Sequence, residues 1–144
     1  MSRQVQVVYF ESLLFEHWAL YIRHGRDDFE VFEVHGGTGT FRYNAGKTAN
    51  PKTDASRRGI VSLGTIPAKK VERLREFAEQ QEIRRHWNWN CQNWVMNLFY
   101  ALNEEEIINV LKNIINKLLK SRESLDDGFD PDYPDRIPND DEDE

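Results

Sequence analysis

Cysteine is almost absent from this chain: Cys91 is the one thiol in 144 residues. That excludes an internal disulfide framework and any multi-thiolate zinc site within one chain, and it points to a reducing compartment. No apolar run approaches the roughly 20 residues of a spanning helix, and the N-terminus lacks the charged-then-apolar profile of a signal peptide. A cytoplasmic location with no transmembrane segment is therefore expected. Histidine is also sparse, and His17, His24, His35 and His86 fall in no zinc-finger or HExxH spacing, so neither a metal nor another cofactor is expected. No internal repeat is present.

Charge is abundant but unevenly placed. The formal charge is −6, yet residues 121–144 hold eleven acids against two arginines, so residues 1–120 are mildly basic. The acidic stretch also holds Pro131, Pro134 and Pro138 and almost no aliphatic residues, so it reads as a disordered tail behind a single domain over 1–120. Lys47, Lys52, Arg57, Arg58, Lys69, Lys70, Arg73, Arg84 and Arg85 read as a solvated face. They also offer a surface for a polyanion, which the tail would screen.

The first forty residues alternate and are rich in Val, Phe, Tyr and Trp, which predicts strands over 4–10, 16–23, 29–35 and 40–43. Turn chemistry separates them at His24-Gly25-Arg26-Asp27-Asp28 and at Gly36-Gly37-Thr38-Gly39. Residues 44–59 are polar and read as a surface loop, followed by a short strand over 60–65. Pro67 then suits a first helical position, and Val71, Leu74, Phe77 and Ala78 repeat at helical spacing to about Gln81. A second helix opens at Asn90-Cys91-Gln92 with Trp94, Val95, Leu98, Phe99 and Leu102 as its stripe, capped by Asn88 or Asn90. A third is expected from Asn103-Glu104-Glu105-Glu106, which has the form of a capping box, through the aliphatic residues to Leu119. Its broad stripe offers either a packing face for the domain or a homodimer contact. The fold class is α+β: an antiparallel sheet of about five strands with two or three packed helices.

Two apparent nucleotide signals fail on context. Ala45-Gly46-Lys47-Thr48 has Phe41 where a P-loop needs its first glycine, and Gly36-Gly37-Thr38-Gly39 opens a strand instead of a helix.

Cys91 is the candidate nucleophile, because the unpaired N–H groups of a first helical turn favour thiolate. It leads the apolar face of its helix, so the thiol points at the strands. His17 begins a strand and is the candidate base. If the hairpin turn centres on Arg26, paired residue numbers sum to 52 and His17 faces His35, which would orient its ring. A tight turn at His24-Gly25 would instead place His17 opposite Phe32. Trp18, Trp89 and Trp94 read as core, or as the walls of an apolar substrate cleft beside Gln92.

His17-Trp18-Ala19-Leu20-Tyr21, followed by Asn90-Cys91-Gln92-Asn93-Trp94-Val95, resembles the circularly permuted papain-like cysteine hydrolases of the lecithin:retinol acyltransferase type. It resembles still more the fungal domains of that lineage that carry Trp-Asn-Cys-Gln-x-Trp. The resemblance implies a permuted papain-like fold, Cys91 as nucleophile, His17 as base and His35 in the place of the second histidine. Gln92 stands where the acyltransferases have an acid. What it implies chemically is thiolate attack on an amide, peptide or ester carbonyl of a peptide or acyl substrate. The alternative is a catalytically inactive binding module with a tryptophan-lined cleft.

Overall fold

The computed structural model describes residues 1–12, 16–37, 39–110, 114 and 116. One antiparallel sheet holds β1 (Ser2–Phe10), β2 (His17–Gly25), β3 (Asp28–His35), β4 (Arg42–Thr48), β5 (Arg57–Pro67) and β6 (Asn109–Val110), in the spatial order β4-β3-β2-β1-β5-β6. Helices α1 (Val71–Gln80) and α2 (Cys91–Glu104) follow the fifth strand, and short 3₁₀ turns occupy Pro51–Thr53 and Ala68–Lys70. The class is α+β, as expected. No helix among the described residues is long and apolar enough to cross a membrane.

Period-two alternation gives the sheet two unlike faces. Val5, Val7, Trp18, Leu20, Ile22, Phe32 and Val34 join α1 and α2 in the main core. Val8, Phe10, Ala19, Tyr21, Phe29 and Val31 form a second cluster on the opposite face. Both faces are covered, which is why these strands read as nearly continuous apolar runs. The cover on the second face comes from the topology. β4 lies at one edge and β5 pairs with β1 beyond β2 and β3, so the chain between them must cross the sheet. Pro51 is buried in that crossing, and Glu11 donates its N–H to the Ser56 carbonyl at 2.7 Å.

The hairpin register is the one centred on Arg26. Leu20 pairs with Phe32, Tyr21 with Val31, Ile22 with Glu30 and Arg23 with Phe29. His24 is not part of the turn that its sequence context implies. It lies within β2, with its side chain 13% exposed and Nε2 2.8 Å from Glu30 Oε1, while Arg3 Nε donates to Nδ1 at 3.3 Å. Glu30 also accepts two bonds from Arg75 of α1, at 2.8 and 3.0 Å, which ties the hairpin to the helix. Burial pushes the Glu30 carboxyl up, but the bonds from Arg75 and His24 outweigh it and hold the group below its ordinary value. Glu30→Gln is expected to cost about 1.5–3 kcal/mol at neutral pH, the range for hydrogen bonds to charged groups. A depressed carboxyl stabilises above its unfolded-state value of 4.5 and loses that contribution as pH falls through the lower folded value. Urea unfolding of both proteins should therefore show the gap closing in acid.

Four boundaries differ from expectation. Pro67 is not a first helical position: it ends β5 in extended backbone, and α1 opens at Val71 after the 3₁₀ turn. The polar stretch from Arg42 to Thr48 is an edge strand, held by the β3 ladder and by Tyr43 against Trp94 at a centroid distance of 5.9 Å, so it needs few apolar side chains. β5 begins at Arg57, inside the expected loop, and bulges before Gly64, whose added Cβ would overlap the Asn109 carbonyl of β6. Asn103 does not open a third helix. α2 runs to Glu104 and closes in a Schellman motif: Glu106 adopts φ 56°, Ile107 N–H bonds the Leu102 carbonyl at 2.9 Å and Glu106 N–H bonds that of Asn103 at 3.1 Å. The apparent capping box is a helix end with Glu in the position glycine usually takes. Asn109 and Val110, expected within that helix, form β6 instead, and Ile114 and Asn116 are helical; its remaining positions from 111 onward and the acidic tail lie outside the described residues.

Candidate functional site

Cys91 is the first residue of α2, below an Asn90 cap that accepts from Gln92 N–H at 2.8 Å and donates its own N–H to Asn93 Oδ1 at 2.7 Å. The helix start is pinned to β2 by one carbonyl. Glu16 O accepts from Gln92 Nε2 at 2.9 Å and from Cys91 Sγ at 3.8 Å. Cys91 has no exposed surface. Burial pushes its thiol from 9.0 up to about 12, against the opposing pull of backbone N–H groups at Trp18, Cys91 and Gln92.

The imidazole expected to meet this thiol points the other way. Trp18, Leu20 and Ile22 face the helices, so His17 shares the second face with Ala19 and Tyr21, and its ring lies 6.0 Å from that of Phe10. Thiol and imidazole stand on opposite sides of the sheet. The tryptophans do not wall a cleft: Trp18, Trp89 and Trp94 are at most 1% exposed. They pack against Tyr9, Phe41 and Tyr43 respectively. Gln92 is buried at the helix clamp.

His17 and His35 do come together. Their rings stack at 5.3 Å and 14°, as the register requires. What joins them is Glu33, which the sequence reading did not single out. Its Oε1 lies 2.9 Å from His17 Nε2; its Oε2 lies 2.8 Å from His35 Nε2 and accepts from Asn44 Nδ2 at 2.9 Å. Burial raises the Glu33 carboxyl, but the His17 and Asn44 bonds and the neighbouring histidines outweigh it and hold the group below its ordinary value. An ionised carboxylate only accepts, so both rings present Nε2–H to it. The signal available was strand alternation, which puts Glu33 and His35 on one face two residues apart.

These three side chains line an open pocket of about 440 Å³ with Phe10, Glu11, Ser12, Tyr21, Gly36, Thr48, Asp54 and Ser56. The crossing segment supplies the far wall, where Asp54 Oδ1 accepts from Ser56 N–H at 2.8 Å and Ser56 Oγ at 2.7 Å. One ligand atom from each of His17, Glu33 and His35 lies within 4.8 Å of the other two.

A family model, described as a family of unknown function (DUF6540), matches residues 5–109. The chain belongs to the DUF6540 family. No curated protein and no solved structure matches it. The matched segment of this DUF6540 domain contains the whole Glu33 cluster and Cys91 with its clamp.

The expected basic face is largely engaged with local partners. Lys47 pairs with Asp28 at 2.6 Å, Arg58 with Glu11 at 3.2 Å, Arg73 with Glu76 at 3.0 Å and Arg84 with Glu82 at 3.2 Å. Lys70 Nζ donates to the Glu106 carbonyl at 3.1 Å.

Proposed function

We propose that this DUF6540 domain is a binding module whose working site is the polar pocket on the second sheet face, and that Cys91 is a structural thiol. The observation that carries this reading is the division of the expected dyad between the two faces of β2. A nucleophile needs its base within hydrogen-bond reach, and Cys91 Sγ has the Glu16 carbonyl as its partner instead. His17 is committed to Glu33 beside an open pocket, which is where a ligand can reach it.

The cysteine hydrolase remains a second reading, and one arrangement favours it. The helix opening Asn90-Cys91 packs against the start of the strand that carries His17, as the permuted papain-like resemblance requires. In that reading His17 would have to pass around the strand end to reach the thiol, and the substrate carbonyl would be an amide, peptide or ester.

Alkylation of Cys91 by iodoacetamide near neutral pH, compared between wild type and His17→Ala, separates the two. Equal, slow rates are expected for the binding module. A clear fall in rate on His17→Ala would mean that imidazole activates the thiol and would return the hydrolase.

A further inference from the structure

We propose that His17, Glu33 and His35 form a binding site for a divalent transition-metal ion of the zinc class. The proposal rests on the pocket being the working site, and it names the ligand's chemistry. Two imidazole nitrogens and a carboxylate are a donor set that suits zinc and its neighbours, and it leaves coordination positions open.

The geometry is built for convergence. Both Nε2 atoms point at the same carboxylate, at 2.9 and 2.8 Å, and all three donors fall within 4.8 Å of one another. Donors around a four-coordinate zinc stand roughly 3.3 Å apart, given metal–nitrogen bonds near 2 Å, so the two short nitrogen–oxygen contacts have only to open by a few tenths of an ångström to admit the ion. His35 can supply that movement, because its side chain is 58% exposed and sits at the end of β3. His17 and Glu33 are 19% and 10% exposed and stay fixed on the sheet.

The hydrogen-bonded cluster is the metal-free tautomer of the same site. On metal binding each imidazole carries its proton on Nδ1 instead of Nε2 and donates the freed Nε2 lone pair, while Glu33 exchanges its two N–H partners for the ion. Asn44 remains bonded to Oε2 and orients the carboxylate, as the outer partners of metal ligands do. The open positions face the pocket, where water or an anionic ligand group can complete the shell. The single thiol lies on the other side of the sheet, so this site owes nothing to Cys91.

The test is calorimetric titration of the chelator-stripped full chain with Zn²⁺, followed by Co²⁺ absorption spectroscopy. One ion per chain is expected. His35→Ala and His17→Ala should each weaken binding by about a hundredfold or more, and Asn44→Ala by about tenfold. His86→Ala should leave it unchanged, since His86 is exposed and does not line the pocket. The Co²⁺ complex should show ligand-field bands without thiolate charge transfer. His35→Ala keeps the fold in reach because that ring is mostly solvated, and thermal melts of the metal-free variants check it. Absence of zinc binding, or binding by both histidine variants as tight as by wild type, overturns the metal site. If Cys91 is then still inert, the binding-module reading stands without it. A thiol whose reactivity falls on His17→Ala sinks that reading whatever the zinc result.

Discussion

Cys91 in the native protein is expected to react with iodoacetamide about a thousandfold more slowly than in the denatured chain, because only thiolate attacks and its fraction falls tenfold for each unit the pKa rises. The shift from 9.0 to about 12 is set by burial. The first turn of α2 and three backbone N–H groups pull the other way, but a helix terminus contributes about 0.3–1 kcal/mol, up to ~2 kcal/mol when partly buried. Full burial moves a thiol, thiolate being the charged form, by several units. The zero exposure of Cys91 removes access as well. Below pH 12 the native rate should climb tenfold per pH unit for as long as the fold persists, whereas the denatured chain should level off near 9. Stopped alkylation with mass spectrometry measures both. A native rate close to the denatured one, or a plateau near neutral pH, would mean that the thiolate is stabilised and the chemistry of Cys91 open again.

Trp94→Ala is expected to remove about 3–5 kcal/mol of stability, the range for deleting a buried tryptophan. Trp94 has no exposed surface; it lies where α2 packs on the sheet and holds the edge strand β4 through Tyr43. Truncation therefore opens a cavity at the helix–sheet contact and loosens the strand that supplies Asn44 to the Glu33 cluster. Against a total stability of about 5–15 kcal/mol for a typical domain, that is a large share. A tryptophan lining a substrate cleft would behave differently, since its removal leaves the core intact and costs less than about 1 kcal/mol, as for a surface substitution. Urea unfolding with an unchanged slope distinguishes them.

Much of the site is legible in residue order, including the signal that assigns His17 to its face of the sheet. The sum rule of the hairpin placed His17 beside His35 because the turn centred on Arg26, and the stacked rings follow from that. The position of Cys91 at a helix start followed from Asn90 and the Trp94–Leu102 stripe. The same alternation that paired the histidines also made Trp18, Leu20 and Ile22 the heavier apolar set of β2, and a helix face seeks the heavier set. That argument assigns His17 to the far side. Other features had weak local signals. β4 is polar because an edge strand draws its stability from one ladder, and the end of α2 mimics a helix start because Glu106 stands where glycine would announce a C-cap.

By itself the amino-acid order determined the first three strands and the start of α2, and offered the pairing of the two histidines as one of two registers, because each follows from interactions between near neighbours: periodicity, caps and a turn. Only the tertiary structure decided that the thiol is sealed under α2, that the β4–β5 connection roofs the opposite face into a pocket, and that Glu33 with Asn44 gathers both imidazoles there. Those outcomes depend on how much apolar surface each face can bury against distant parts of the chain, a sum that no local stretch of sequence contains.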